Sequence, residues 1–186
     1  SYVYREHRAS TQAAGFKLFY SHARNDKWKH VWAYLRDSGV RVIHLTRTNL
    51  LDRYLSYQLA LRSGRWVQLE GEQSSPEQPI VIDPRDCFKS FHKSLWYQEQ
   101  TEHFFSRGPL LRVTFESLCD DMAAETNGIQ EFLGIEVRHL TARLCRQRRQ
   151  TKTELIQNYD ALREELRHWV DSGWAREEWL DFFDDA

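Results

Sequence analysis

"VIHLTRTNLLDRYLSYQLA", residues 42–60, joins two different periodicities. "VRVIHL" (40–45) is β-branched and nearly continuously apolar, as in a parallel strand buried on both faces. Residues 49–62 then repeat apolar side chains at helical spacing. Between the two runs stands Thr46-Arg47-Thr48-Asn49. A strand that feeds straight into a helix leaves unpaired N–H groups and roughly half a positive charge at the joint. Such a joint is a natural anion site. Arg47 adds a guanidinium fork, and Ser56, which shares a helix face with Asp52 at i, i+4, adds a hydroxyl. The plainer reading is an N-cap beside a surface arginine, and the pattern alone does not separate the two.

Outward from this joint, strand-like and helix-like runs alternate. "GFKLFYS" (15–21) reads as a short aromatic strand after a glycine. "NDKWKHVWAYLRDSG" (25–39) has Trp28, Val31, Trp32 and Leu35 at helical spacing, and Gly39 stops it. Residues 63–83 are rich in turn formers and predict a long surface loop ending in an extended piece, "IVID". A helix is expected over about 85–106, a strand over 109–118, and a short helix over 128–135. Residues 151–173 predict one long amphipathic helix, opened by a Thr151/Glu154 capping box. Without tight hairpins, the alternation predicts an α/β fold: a parallel sheet flanked by helices in three layers. Ligands in such sheets bind at the carboxyl ends of the strands, where Arg47 lies.

Bulk composition narrows the partners. The 186 residues suit one domain, taken as 1–186, and the 41% apolar and 28% charged content is that of a soluble globular protein. A formal net charge of −1 argues against a chain-wide nucleic-acid binder. Six basic residues and no acid lie between Arg138 and Lys152, while the end, "REEWLDFFDDA", is acidic and aromatic. Three scattered cysteines make neither a disulfide framework nor a CxxC metal pair, so a reducing compartment is the default and no metal site is expected. No apolar run approaches the roughly 20 residues of a membrane span, and no secretory leader is evident.

The joint at 42–60 resembles the 3′-phosphate-binding segment of sulfotransferases that use 3′-phosphoadenosine 5′-phosphosulfate (PAPS). In that family an arginine at a strand end and a serine on the next helix hold the 3′-phosphate of the nucleotide. By this match Arg47 and Ser56 take those roles. Their spacing of nine is one more than in the cytosolic steroid and phenol enzymes, and closer to the bacterial carbohydrate branch, such as nodulation-factor and trehalose sulfotransferases. Three further stretches fit in the same order. They are "GFKLFYSH", "LLRVTFESLCDD" with "IQEFLGI", and "RRQTKTELIQNYDALREEL". The likeness covers about residues 14–168 and leaves 169–186 as an acidic aromatic tail.

The resemblance implies a P-loop NTPase-like sulfotransferase fold, PAPS as co-substrate with no metal, and transfer of a sulfuryl group to a hydroxyl of a carbohydrate or similar small acceptor. The chemistry needs a base for the acceptor hydroxyl and cations for the phosphate oxygens, with electrostatic preorganisation as the main term. A general base typically adds about 10²–10⁴-fold. His22, after the "KLFYS" run, is the candidate base, against an ordinary exposed histidine at a strand end. His44, inside the apolar strand, reads as a packed core residue. Arg149 and Lys152 are candidates to close over the nucleotide from the late basic segment, against a plain solvated linker. The loop 63–80 with Trp66 would help shape the acceptor site. Bacterial-type resemblance makes the cytoplasm the expected location, and a homo-oligomer is compatible.

The family's Ser/Thr/Gly-rich loop for the 5′-phosphosulfate is not found. The fourteen residues before Gly15, "SYVYREHRASTQAA", contain no glycine. Three readings stay open: a fragment, a loop supplied by another chain, or a protein that binds a 3′-phosphorylated nucleotide without transfer. The alternative function is a non-catalytic module that binds a nucleotide or polyanion through residues 138–152.

Overall fold

The computed structural model describes residues 7–22, 28–67, 76–141 and 150–184. The chain gathers into two compact units, one of residues 1–46 with 97–140, the other of 47–96 with 141–186. Along the chain come α1 (Val31–Asp37), β1 (Val42–Thr46), α2 (Leu50–Ser63), α3 (Pro84–Phe105), β2 (Leu110–Thr114), α4 (Phe115–Asp120), α5 (Met122–Leu133), α6 (Lys152–Leu155) and α7 (Tyr159–Asp171), then a 3-10 helix at Glu177–Phe183. The fold is mixed α/β.

In the first unit β1 and β2 pair in parallel, with His44 opposite Arg112 and Thr46 opposite Thr114. β2 is shorter than the 109–118 run. Thr114 turns it into α4, its hydroxyl accepting from the Ser117 N–H at 3.0 Å. Asp121 likewise caps α5 through the Ala124 N–H at 2.9 Å. That cap explains why α5 begins six residues before the expected 128. Trp32 of α1 packs against Phe104 and Phe105, at the end of α3, with ring centroids 5.6 Å away in each case.

The sheet is smaller than the sequence suggests. Only two strands pair among the described residues, and "GFKLFYS" is not a strand. Its backbone finds no neighbouring strand there, and its rings act one at a time. Phe16 and Phe19 are exposed, and Tyr20 stacks on Tyr97 at 5.1 Å. A β-rich composition without a ladder to join does not make a strand.

The second unit is a helical core. Leu50, Leu51, Leu55 and Leu59 of α2 meet Phe88 and Phe91 of α3, Leu162 and Leu166 of α7, and Trp179 and Phe183 of the 3-10 helix. The capping box forms at Thr151 and Glu154 as the sequence predicts. The expected single helix over 151–173, however, breaks after Leu155. Ile156 is extended and bridges Ile80 in parallel. The Ile80 N–H donates to the Leu155 carbonyl at 2.8 Å, and the Gln157 N–H donates to the Ile80 carbonyl at 2.9 Å. Asn158 then holds both backbone groups of Ile82, at 2.9 and 2.8 Å. The "IVID" piece thus competes for backbone bonds that a continuous helix would make internally, and it wins locally.

Candidate functional site

Arg47 follows the last residue of β1, and Asn49 is the N-cap of α2. Asn49 serves two neighbours. Its side-chain oxygen accepts from the Asp52 N–H at 2.9 Å, and its amide nitrogen donates to the Phe182 carbonyl at 3.1 Å. One helical turn further on, Arg47 Nη1 donates to Ser56 Oγ at 3.4 Å, and both side chains are half-buried. The geometry therefore joins a guanidinium and a hydroxyl beside the positive end of a fourteen-residue helix. Asp52, in the first turn, is the local negative counterweight.

Lys152 comes near this cap by way of the carboxyl-terminal segment. Its side chain is 2% exposed. Nζ donates to the Phe182 carbonyl at 2.8 Å and to the Asp184 carbonyl. Asn49 and Lys152 thus share one acceptor, the Phe182 carbonyl. Tyr159 donates its hydroxyl to the Phe183 carbonyl, and Arg163 pairs with the Asp184 carboxylate at 3.3 Å. Residues 182–184 are consequently tied to both α2 and α7.

The chain is distantly related to Nodulation protein H. It is 23% identical to Nodulation protein H of Rhizobium meliloti over 140 residues, which are 74% of this chain and 56% of that protein. Against Nodulation protein H of Rhizobium meliloti strain 1021 the identity is 22% over the same extent. The chain thus spans just over half the length of the curated relatives it matches. No family model and no solved structure matches it.

The other expected residues fall elsewhere. Arg149, with most of the basic run, lies outside the described residues. Arg138, at the start of that run, is paired with Glu136 at 2.6 Å. His22 belongs to the first unit and is exposed, with Nδ1 accepting from the Phe19 N–H at 3.4 Å. Trp66 is 59% exposed and lies beside Tyr57 of α2, with ring centroids 6.0 Å apart. Of the loop, 68–75 lie outside the described residues. Among the described residues no group of three or more His, Cys, Asp or Glu side chains could hold a metal. No described helix is long and apolar enough to cross a membrane.

A polar chain in the first unit was not visible in the sequence. His44 of β1 is 5% exposed, and its Nε2 lies 2.7 Å from the Tyr20 hydroxyl. Its Nδ1 faces Glu102 Oε1 at 3.5 Å, and Arg112 Nε holds the same oxygen at 2.9 Å. Burial lowers the His44 pKa below its ordinary value of 6.5, although Glu102 pulls the other way. Arg112, through its hydrogen bond, lowers the Glu102 carboxyl below the usual range. The one sequence signal was a histidine inside an apolar strand. Its partners lie at positions 20, 102 and 112, a spacing no motif records.

Proposed function

We propose that this chain carries the nucleotide-holding part of a PAPS-dependent sulfotransferase that acts on a hydroxyl of a carbohydrate or similar small acceptor. The observation that carries the reading is the bond from Arg47, just before α2, to Ser56 in its second turn. It joins the two residues to which the family resemblance gives the 3′-phosphate. The distant relation to Nodulation protein H supports the same branch. The whole protein's activity is part of the proposal, because the chain spans 56% of that relative.

In this reading Arg47 donates to two phosphate oxygens, Ser56 donates a third bond, and the N–H groups of α2 add the field of the helix end. Lys152 would reach the nucleotide only by exchanging a carbonyl for a phosphate oxygen, and Arg149 would supply a second cation. The acceptor hydroxyl gives its proton to a general base as its oxygen attacks sulfur. The sulfur–oxygen bond to the 5′-phosphate breaks, and adenosine 3′,5′-bisphosphate leaves with the electron pair. Tyr57 and Trp66 offer flat apolar faces on which a sugar ring can stack.

The test is a calorimetric titration with adenosine 3′,5′-bisphosphate beside adenosine 5′-monophosphate. The bisphosphate should bind at least about tenfold more tightly, since a charge-assisted bond is worth roughly 1.5–3 kcal/mol. Arg47→Ala should erase that difference. Equal affinity for the two nucleotides, or none for either, defeats the reading.

A further inference from the structure

The Tyr20–His44–Glu102 chain has the order hydroxyl, imidazole, carboxylate. Each link has a direction. Glu102 Oε1, 3.5 Å from His44 Nδ1, favours the tautomer that carries its proton on Nδ1. Nε2 is then the acceptor, and the Tyr20 hydroxyl at 2.7 Å donates to it. Arg112 keeps the carboxylate ionised and in place at 2.9 Å. The register sets this up, because His44 and Arg112 are opposite one another on paired strands and Glu102 of α3 reaches both.

His44 Nδ1 is buried and makes no full hydrogen bond in the resting state. Protonation of the ring would turn the 3.5 Å approach to Glu102 into an ion pair, so the carboxylate that orients the neutral ring also offsets part of the cost of burying the imidazolium. In front of the ring, Tyr20 is only half-buried and is held flat on Tyr97, with 10° between the ring planes. Its hydroxyl is therefore fixed in direction. A phenol whose proton is drawn toward a buried base carries extra electron density on oxygen.

We propose that Tyr20, His44 and Glu102 form a proton relay in which the Tyr20 phenol takes a proton from the hydroxyl of a small-molecule substrate and His44 stores it. As the substrate O–H bond breaks, its electron pair stays on the substrate oxygen and the proton moves to Tyr20 Oη. The Tyr20 proton passes to His44 Nε2, and the resulting imidazolium is paired with Glu102. Atoms and charge balance without a further reactant. The relay uses neither Arg47 nor Ser56, so it stands whether or not the nucleotide reading holds.

An arylsulfonyl fluoride tests it directly, because the probe reports the nucleophilicity of each phenol. The Tyr20 oxygen attacks sulfur, fluoride leaves, and the phenolic proton goes to His44. Labelling is followed residue by residue with peptide mass spectrometry. Tyr34 and Tyr57, which are 53% and 49% exposed, serve as internal controls. Tyr20 should label at least about tenfold faster than either, a floor set below the roughly 10²–10⁴-fold of positioned proton transfer. His44→Gln should bring it down to the control rate, and Glu102→Gln should slow it several-fold, with Tyr34 and Tyr57 unchanged in both. If His44→Gln fails to fold, Glu102→Gln carries the test, since Glu102 is partly exposed. Labelling of Tyr20 no faster than the controls, or unmoved by these substitutions, overturns the relay and leaves a structural polar contact.

Discussion

Lys152 shows how much one side chain can hold. The residue is 2% exposed, and its ammonium donates to two carbonyls of the carboxyl-terminal segment, one of them shared with Asn49. Lys152→Met keeps most of the stem but leaves the Phe182 carbonyl to Asn49 alone and removes the ammonium from the Asp184 carbonyl. Unfolding in urea should show a loss of about 1–3 kcal/mol, the worth of hydrogen bonds from a buried charged donor. An unchanged midpoint would mean that water serves those carbonyls equally well. The titrating groups make a second residue-scale prediction. His44 is held below 6.5 in the fold, so the unfolded chain takes up its proton first as the solution is acidified. Stability should be full above that value and fall below it. Glu102 is also held below its ordinary 4.5, so a second loss begins as pH drops through that range. Denaturation midpoints recorded across pH 4–8 should fall toward acid, and His44→Gln should flatten the upper part of the curve. A midpoint that rises on acidification would contradict both signs.

At the scale of elements, the break between α6 and α7 is the most informative feature. The sequence from Thr151 to Gly173 has the apolar stripe and capping box of one helix, and both are real. What the stripe cannot show is that residues 80–82 arrive as a competitor for the backbone at 155–158. Asn158 settles the competition by holding Ile82 on both sides. Asn158→Ala should therefore destabilise the protein by about 1–3 kcal/mol, through two unpartnered backbone groups. Thr151→Ala should cost only about 1 kcal/mol, because it removes a cap and leaves the pairing intact. Hydrogen exchange at the Ile80 and Ile82 amides separates the two: Asn158→Ala should speed exchange at Ile82, and Thr151→Ala should leave it unchanged. If both variants behave alike, the break is not held by Asn158.

At the scale of the whole molecule, a bound nucleotide stabilises the fold by the logarithm of its excess over its dissociation constant. At about a hundredfold excess, adenosine 3′,5′-bisphosphate should add roughly 2.7 kcal/mol to the unfolding free energy, and Arg47→Ala should remove that gain while keeping the unliganded stability. A wild-type melting curve unmoved by the nucleotide would count against the cradle. The mixed α/β class, the apolar stripe of α7 and the capping box at Thr151 were legible in the sequence. The stripe and the cap depend on residues within about ten positions or a few turns of one helix, where side-chain periodicity and helix geometry set the distances. Tertiary structure alone decided the rest. It left "GFKLFYS" without a ladder, split the last long helix against residues 80–82, buried Lys152 under the carbonyls of 182 and 184, and aligned Tyr20, Glu102 and Arg112 on His44. These outcomes join segments tens of residues apart. A backbone or polar group there takes whichever partner the folded chain brings nearest, and no local pattern records which one that is.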